Sequence, residues 1–128
     1  MAHSYQFRPI QAADEPFLSR LYASTREEEL SVLIDWTPEQ KRDFLRQQFQ
    51  AQHTYYQQQY KGAQFSVVEM NGEPVGRLYI DRRKDDIRVI DIALLPAFRG
   101  RGIGRQLMQE VLDEGRQSGK KVSIHVEH

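Results

Sequence analysis

The stretch from Asp91 to Gly104, DIALLPAFRGRGIG, limits most tightly what this chain can fold into. An apolar run stops at Pro96, a basic glycine-rich turn follows, and an amphipathic helix begins at once. A strand that enters a helix through such a turn leaves the first N–H groups of the helix unbonded and pointing outward together. The helix dipole adds partial positive charge at the same place. Gly100, Gly102 and Gly104 alternate, so the backbone can approach a ligand closely and take positive φ without a steric penalty. Arg99, Arg101 and Arg105 crowd the turn. The pattern describes an anion site for a phosphate or pyrophosphate; the competing description is a flexible turn with solvated arginines. No Gly-Lys-Ser/Thr follows, and the third glycine is misplaced for a dinucleotide fingerprint.

The rest of the chain supplies one domain, residues 1–128, with room for a single core. Acidic and basic residues balance at 18 each, so no global field attracts nucleic acid or an anionic membrane. Cysteine is absent, which excludes disulfides, thiolate metal sites and cysteine nucleophiles, and no metal centre is expected. No segment reaches membrane-spanning length and no signal core opens the chain, so a cytoplasmic protein is expected.

Periodicity and punctuation give the element order. Tyr5 to Ile10 reads as a short strand, and Asp14 with Pro16 opens a helix carrying Phe17, Leu18, Leu21 and Tyr22. Glu27 to Glu29 reads as a solvated helix end or loop. Thr37-Pro38-Glu39-Gln40 is a capping box that announces a long helix, with Phe44, Leu45, Gln48, Phe49, Gln52 and Tyr56 on one face. Phe65 to Met70 and Pro74 to Asp81 form a hairpin around Asn71-Gly72. Ile87 to Leu95 is a buried strand. The helix from Gly102 turns Ile103, Leu107, Met108, Val111 and Leu112 to the core, and Lys121 to Glu127 is a last strand. The class is α+β with a mixed sheet, in the order β-α-α-β-β-β-α-β.

With these elements in place, the chain resembles the GNAT superfamily of acetyl-CoA-dependent N-acetyltransferases. The family signature, Gln/Arg-x-x-Gly-x-Gly/Ala, is met by Arg99, Gly102 and Gly104, after an apolar strand with proline and before a helix. The resemblance implies a central mixed, mostly antiparallel sheet flanked by helices, and acetyl-CoA as co-substrate. Gly100, Arg101, Gly102, Ile103, Gly104 and Arg105 would cradle the pyrophosphate, with Arg99 beside them. Ile92, Ala93 and Leu94 would offer strand backbone to the pantetheine arm, in a slot where the strand splays from its neighbour. An N–H near Leu94 would polarise the thioester carbonyl. The reaction implied is direct attack of a primary amine, from a small molecule or peptide, in a ternary complex.

A base must take the amine's proton. Glu127, in a Val-x-x-x-x-Glu pattern, and Asp91 are the catalytic candidates; a salt-bridged carboxylate at a strand end is the plain alternative for either. His53 reads as structural, and His125 and His128 as exposed. Tyr22, Arg26, Glu27, Glu28, Glu29, Trp36, Tyr55, Tyr56 and Tyr60 fall in the region that lines the amine site in the family. Family members continue into a further helix and strand pair, and that helix carries a tyrosine acid. This chain stops at His128, so the expectation is a C-terminally truncated domain or a homodimer completed through the last strand. A non-catalytic acyl-CoA-binding or regulatory domain is the alternative function. A nucleic-acid contact and an unrelated nucleotide-binding domain are weaker competitors.

Overall fold

A computed structural model describes residues 3–125. In chain order the elements are β1 (Gln6–Pro9), α1 (Glu15–Thr25), α2 (Glu27–Ser31), α3 (Pro38–Gln59), β2 (Gln64–Met70), β3 (Glu73–Arg82), β4 (Asp86–Leu94), α4 (Ile103–Ser118) and β5 (Lys121–Ile124). They divide into two compact units: a helical one, Gln11–Lys61, and a sheet unit of residues 3–10 and 62–125.

In the helical unit the capping box forms as the sequence predicts. Thr37 Oγ1 accepts the Gln40 N–H at 3.1 Å, and Gln40 Oε1 accepts the Thr37 N–H at 2.8 Å. Each satisfies an orphan group of the helix start, worth about 1 kcal/mol together. Phe49 and Tyr56 of α3 are buried, as are Phe17, Leu18, Leu21 and Tyr22 of α1, with the Tyr22 and Phe49 rings 6.1 Å apart. Asp14 is the N-cap of α1, though its carboxylate turns back to accept the Gln11 N–H at 2.8 Å, closing a 3-10 turn ahead of α1. Of the two readings of Glu27 to Glu29 it is the solvated helix end that forms: they open α2, where three carboxylates favour the positive end of the helix and Arg26 holds Glu29 at 3.1 Å. The helical half therefore has three helices instead of two.

The sheet runs β1-β2-β3-β4-β5, antiparallel except for the parallel β4–β5 pair that α4 connects. Asn71 at φ 53° and Gly72 at φ 78° make the two-residue β2–β3 turn, whose positive angles match the strand twist. Two bulges interrupt the ladders, each a point where one strand spends an extra residue. Val75 is extra between the pairs Val68↔Gly76 and Glu69↔Pro74; Ile90 is extra between Tyr79↔Asp91 and Ile80↔Val89.

One sheet face packs on α4. Ile103, Leu107 and Val111 repeat every four residues and are buried against Val68, Leu78, Ile80, Ile87, Val89 and Leu94. Each such side chain contributes about 1.5–3 kcal/mol. Leu112, expected in this stripe, is 43% exposed, because 100° per residue carries it off the buried line. Gly115 continues the stripe: a Cβ there would stand 2.7 Å from Val122 Cγ2 and 3.0 Å from the Lys120 carbonyl. At the far end Arg82 forks onto Glu114, with Nε–Oε2 at 2.7 Å and Nη2–Oε1 at 3.0 Å, and also reaches Gln64.

The Arg82 hydrogen bond holds the Glu114 carboxyl below its ordinary range. A depressed carboxylate stabilises the fold above the unfolded pKa, and that gain is lost as pH falls through the folded value. Both side chains are 40% exposed, which limits the pair to less than about 1 kcal/mol. Glu114→Gln is expected to lower urea-unfolding stability by that amount at pH 7, with wild type and variant converging as pH falls through the depressed Glu114 value. A larger effect belongs to Gly76, where a Cβ would meet the Ala93 carbonyl at 2.3 Å. Gly76→Ala must push β4 away and should cost about 1–3 kcal/mol in the same assay.

Candidate functional site

The site is built on the second half of β4. Its first half, Asp86 to Val89, pairs with β5, and the His125 N–H closes the ladder on the Val89 carbonyl at 2.8 Å. Ile90, the next residue, is the bulge. From there to Leu94 the outer edge of β4 has no strand partner among the described residues. Leu95 donates its N–H back to Val75 O at 2.8 Å, so strand alternation turns the N–H and carbonyl of Leu94 away from β3, toward the open edge. The Leu94 carbonyl is met by Arg99, whose Nε donates at 2.9 Å. Arg99 thus ties the turn to the strand.

Beyond Arg99 lies the glycine turn. Gly100 at φ 72° and Gly102 at φ 85° hold conformations that a side chain would strain. Gly102 is the N-cap of α4, and it offers no capping side chain; the first helical bond runs from the Gln106 N–H to its carbonyl at 3.0 Å. As a result the N–H groups of Gly100, Arg101, Gly102, Ile103, Gly104 and Arg105 meet no acceptor among the described residues. That run of donors, at the positive end of a 16-residue helix, is what a diphosphate requires. Ile103 offers only its backbone, since its side chain is buried in the core. Gly104 needs no special φ, and a Cβ there would meet only Leu94 Cδ1, at 3.8 Å. The chain's own packing does not require that glycine. Arg101 rests its guanidinium on the Phe98 ring, 5.4 Å from the centroid, and Arg105 is exposed. The donor set fits the diphosphate of coenzyme A, and the open edge fits the amide-bearing pantetheine arm.

The two carboxylate candidates separate. Glu127 lies outside the described residues. Asp91 is re-aimed by the bulge: without Ile90 it would share the α4 face with Val89, whereas it lies on the opposite face with Arg77 and Tyr79. There Arg77 Nη2 donates to Asp91 Oδ2 at 2.7 Å, and the guanidinium stacks 4.9 Å from the Tyr79 centroid. Arg77 is 3% exposed. Removing it would leave a carboxylate in a largely buried place, at a cost of about 3–5 kcal/mol.

The acceptor-side residues of the helical unit divide. Tyr22 and Tyr56 are core, Tyr55 is exposed, Arg26 stacks on Tyr22, and Trp36 meets Phe44 edge-on at 5.4 Å. His53 stacks on Phe49 and lies 3.8 Å from Glu15, a structural role as expected. Among the described residues no group of His, Cys, Asp and Glu is placed to hold a metal. Sequence reasoning passed over Arg77, Gly76 and His3. An arginine in an otherwise apolar run, VGRLYI, was the one signal available for Arg77.

Comparison with known proteins identifies the fold and the family. No curated protein sequence matches the chain. Solved structures match in fold. They include a PaiA N-acetyltransferase from Thermoplasma acidophilum in complex with coenzyme A (TM-score 0.59, 13% identity, covering 91% of this chain and 74% of that one). A ribosomal-protein-alanine N-acetyltransferase from Brucella melitensis biovar Abortus 2308 also matches (0.54, 14%, 98% and 82%). So does a transcriptional regulator from Bacillus halodurans C-125 (0.55, 17%, 97% and 83%). The model of the acetyltransferase (GNAT) family matches residues 20–128, so this mixed α+β chain belongs to the GNAT acetyltransferases.

Proposed function

We propose that this chain transfers an acetyl group from acetyl-CoA to a primary amine of a small molecule or peptide, within a ternary complex. The observation that carries this is the run of N–H groups from Gly100 to Arg105 that meet no acceptor among the described residues, placed beside an edge of β4 that has no strand partner among them. In this reading the turn binds the diphosphate, with Arg101 and Arg105 adding charge. Ile92, Ala93 and Leu94 align the pantetheine arm as an added strand. The bound coenzyme supplies the acetyl thioester. The outward N–H of Leu94 is the donor for its carbonyl oxygen, where charge develops as the amine attacks. Arg99 holds the Leu94 peptide in that orientation through its carbonyl. No helix among the described residues is long and apolar enough to cross a membrane, and a cytoplasmic enzyme drawing on a soluble acetyl-CoA pool suits the fold.

Proton removal from the amine is assigned to Glu127, because Asp91 already spends Oδ2 on Arg77. Asp91 remains the rival, reached if the second oxygen serves the amine. Completion of the sheet by a second copy through the last strand belongs to the same proposal. The engagement of Asp91 also favours a second reading, a non-catalytic acyl-CoA-binding or regulatory domain.

Calorimetric titration is expected to show binding of acetyl-CoA in preference to ATP and NAD. Gly102 is a poor probe of the cradle, since any side chain at φ 85° is strained. Gly104→Val, whose Cβ would make only an ordinary contact with Leu94 Cδ1, should leave the melting temperature of the free protein close to wild type and weaken acetyl-CoA by at least about tenfold. Unchanged affinity would place the coenzyme elsewhere. Release of free thiol on adding amines separates enzyme from binding domain. A general base limits the rate as pH falls through its pKa. Glu127→Gln should therefore lower the amine-dependent rate about 10²-fold or more and remove that acid limb, without weakening the coenzyme. If the acid limb survives in Glu127→Gln and disappears in Asp91→Asn, the roles are exchanged.

A further inference from the structure

His3, in the segment leading into β1, lies against the glycine turn. Its Nε2 stands 2.6 Å from the Arg101 carbonyl oxygen and 4.0 Å from where a Cβ on Gly102 would be. A carbonyl oxygen only accepts, so Nε2 carries the hydrogen and donates. The backbone of His3 is clamped by one side chain: its N–H donates to Gln106 Oε1 at 2.7 Å, and Gln106 Nε2 donates to its carbonyl at 2.8 Å. Two residues on, Tyr5 packs against the α4 core cluster. The imidazole is therefore held in place from both sides of the segment.

That contact fixes a peptide plane. The Arg101–Gly102 peptide is trans, so with its oxygen drawn toward His3 its N–H points the opposite way. That N–H belongs to the donor run. Reversing the plane would change only ψ of Arg101 and φ of Gly102, and glycine accepts either sign of φ. The reversed peptide would present a carbonyl oxygen where the donor stood and repel a phosphate. The freedom that lets Gly102 form the cradle also lets the cradle undo itself.

We propose that His3 is a positioning residue for coenzyme A: its Nε2–H holds the Arg101 carbonyl and keeps the Gly102 N–H turned into the phosphate site. Its partner Gln106 keeps His3 in register. This inference rests on the coenzyme A assignment of the turn, and it concerns a residue outside the glycine-turn signature.

The test is calorimetric titration of coenzyme A into wild type, His3→Ala and His3→Gln, with the hydrogen-exchange rate of the Gly102 amide and the melting temperature of each free protein measured alongside. His3→Ala should weaken coenzyme A about threefold to tenfold and change Gly102 exchange. The glutamine amide reaches about as far as Nε2, so His3→Gln should recover most of the affinity. Equal affinity in wild type and His3→Ala overturns the proposal and leaves the coenzyme A site standing. Equal weakness in the alanine and glutamine variants, tracking a fall in melting temperature, overturns the donor role in favour of simple packing. Failure of wild type to bind coenzyme A overturns the site assignment itself, and this inference with it.

Discussion

Backbone hydrogen-bond accounting at β4 governs the sheet unit. Among the described residues the strand pairs with β3 along nearly its whole length and with β5 from Asp86 to Val89. Buried peptide groups must find partners, and the bulge at Ile90 decides how β4 presents its own. By adding one residue to β4, it bends the strand and puts Val89 and Ile92 on the same face as Ile80 and Leu78. Past the bulge, Arg99 covers the Leu94 carbonyl. The bulge also turns Asp91 to the face where Arg77 pairs with it. One extra residue thus sets the faces of β4 and the environment of Asp91.

The anion cradle proposed at the glycine turn would rest on a local field, since the composition is balanced. Three arginines crowd the turn, yet they do different work. Arg99 binds the strand, Arg101 lies over Phe98, and Arg105 is exposed on the first turn of α4. The partial charge of the helix start and the outward N–H groups would supply the fixed part of the proposed site, with no reorganisation when a phosphate arrives. Mobile side chains add strength that salt can screen; the backbone donors add geometry that it cannot.

Legibility from sequence followed the range of each interaction. Thr37 to Gln40 and Asn71-Gly72 are complete within four residues, and both formed as their residues demanded. The backbone form of the glycine turn was legible because its residues are contiguous: Gly100 and Gly102 take positive φ and α4 follows. Asp14 stands at the N-cap of α1 as expected, but its carboxylate serves the Gln11 N–H, where several local bonds compete at similar energy. Leu112 was misplaced because an apolar residue beside a buried stripe costs little when exposed. The bulges, the Arg77–Asp91 pair and the His3 contact were out of reach. Register is decided by pairing across strands, and His3 meets Arg101 across 98 positions of sequence.

A site made from backbone groups constrains sequence lightly, and this bears on how far related chains can diverge. The donors of the turn need two glycines at positive φ and a helix to follow; the edge of β4 needs a bulge and apolar side chains. Neither demands a particular side chain over most of its length. Identities of 13–17% alongside TM-scores of 0.54–0.59 are what such a site permits, because the fold and the coenzyme half of the chemistry can persist while side chains drift. Acceptor choice has no backbone equivalent. It must be written in side chains, and those of the helical unit are already largely committed: Tyr22 and Tyr56 to the core, Arg26 to Tyr22 and Glu29, Trp36 to Phe44. On the proposed reading, the coenzyme half of the reaction is encoded in conformation and the acceptor half in side chains.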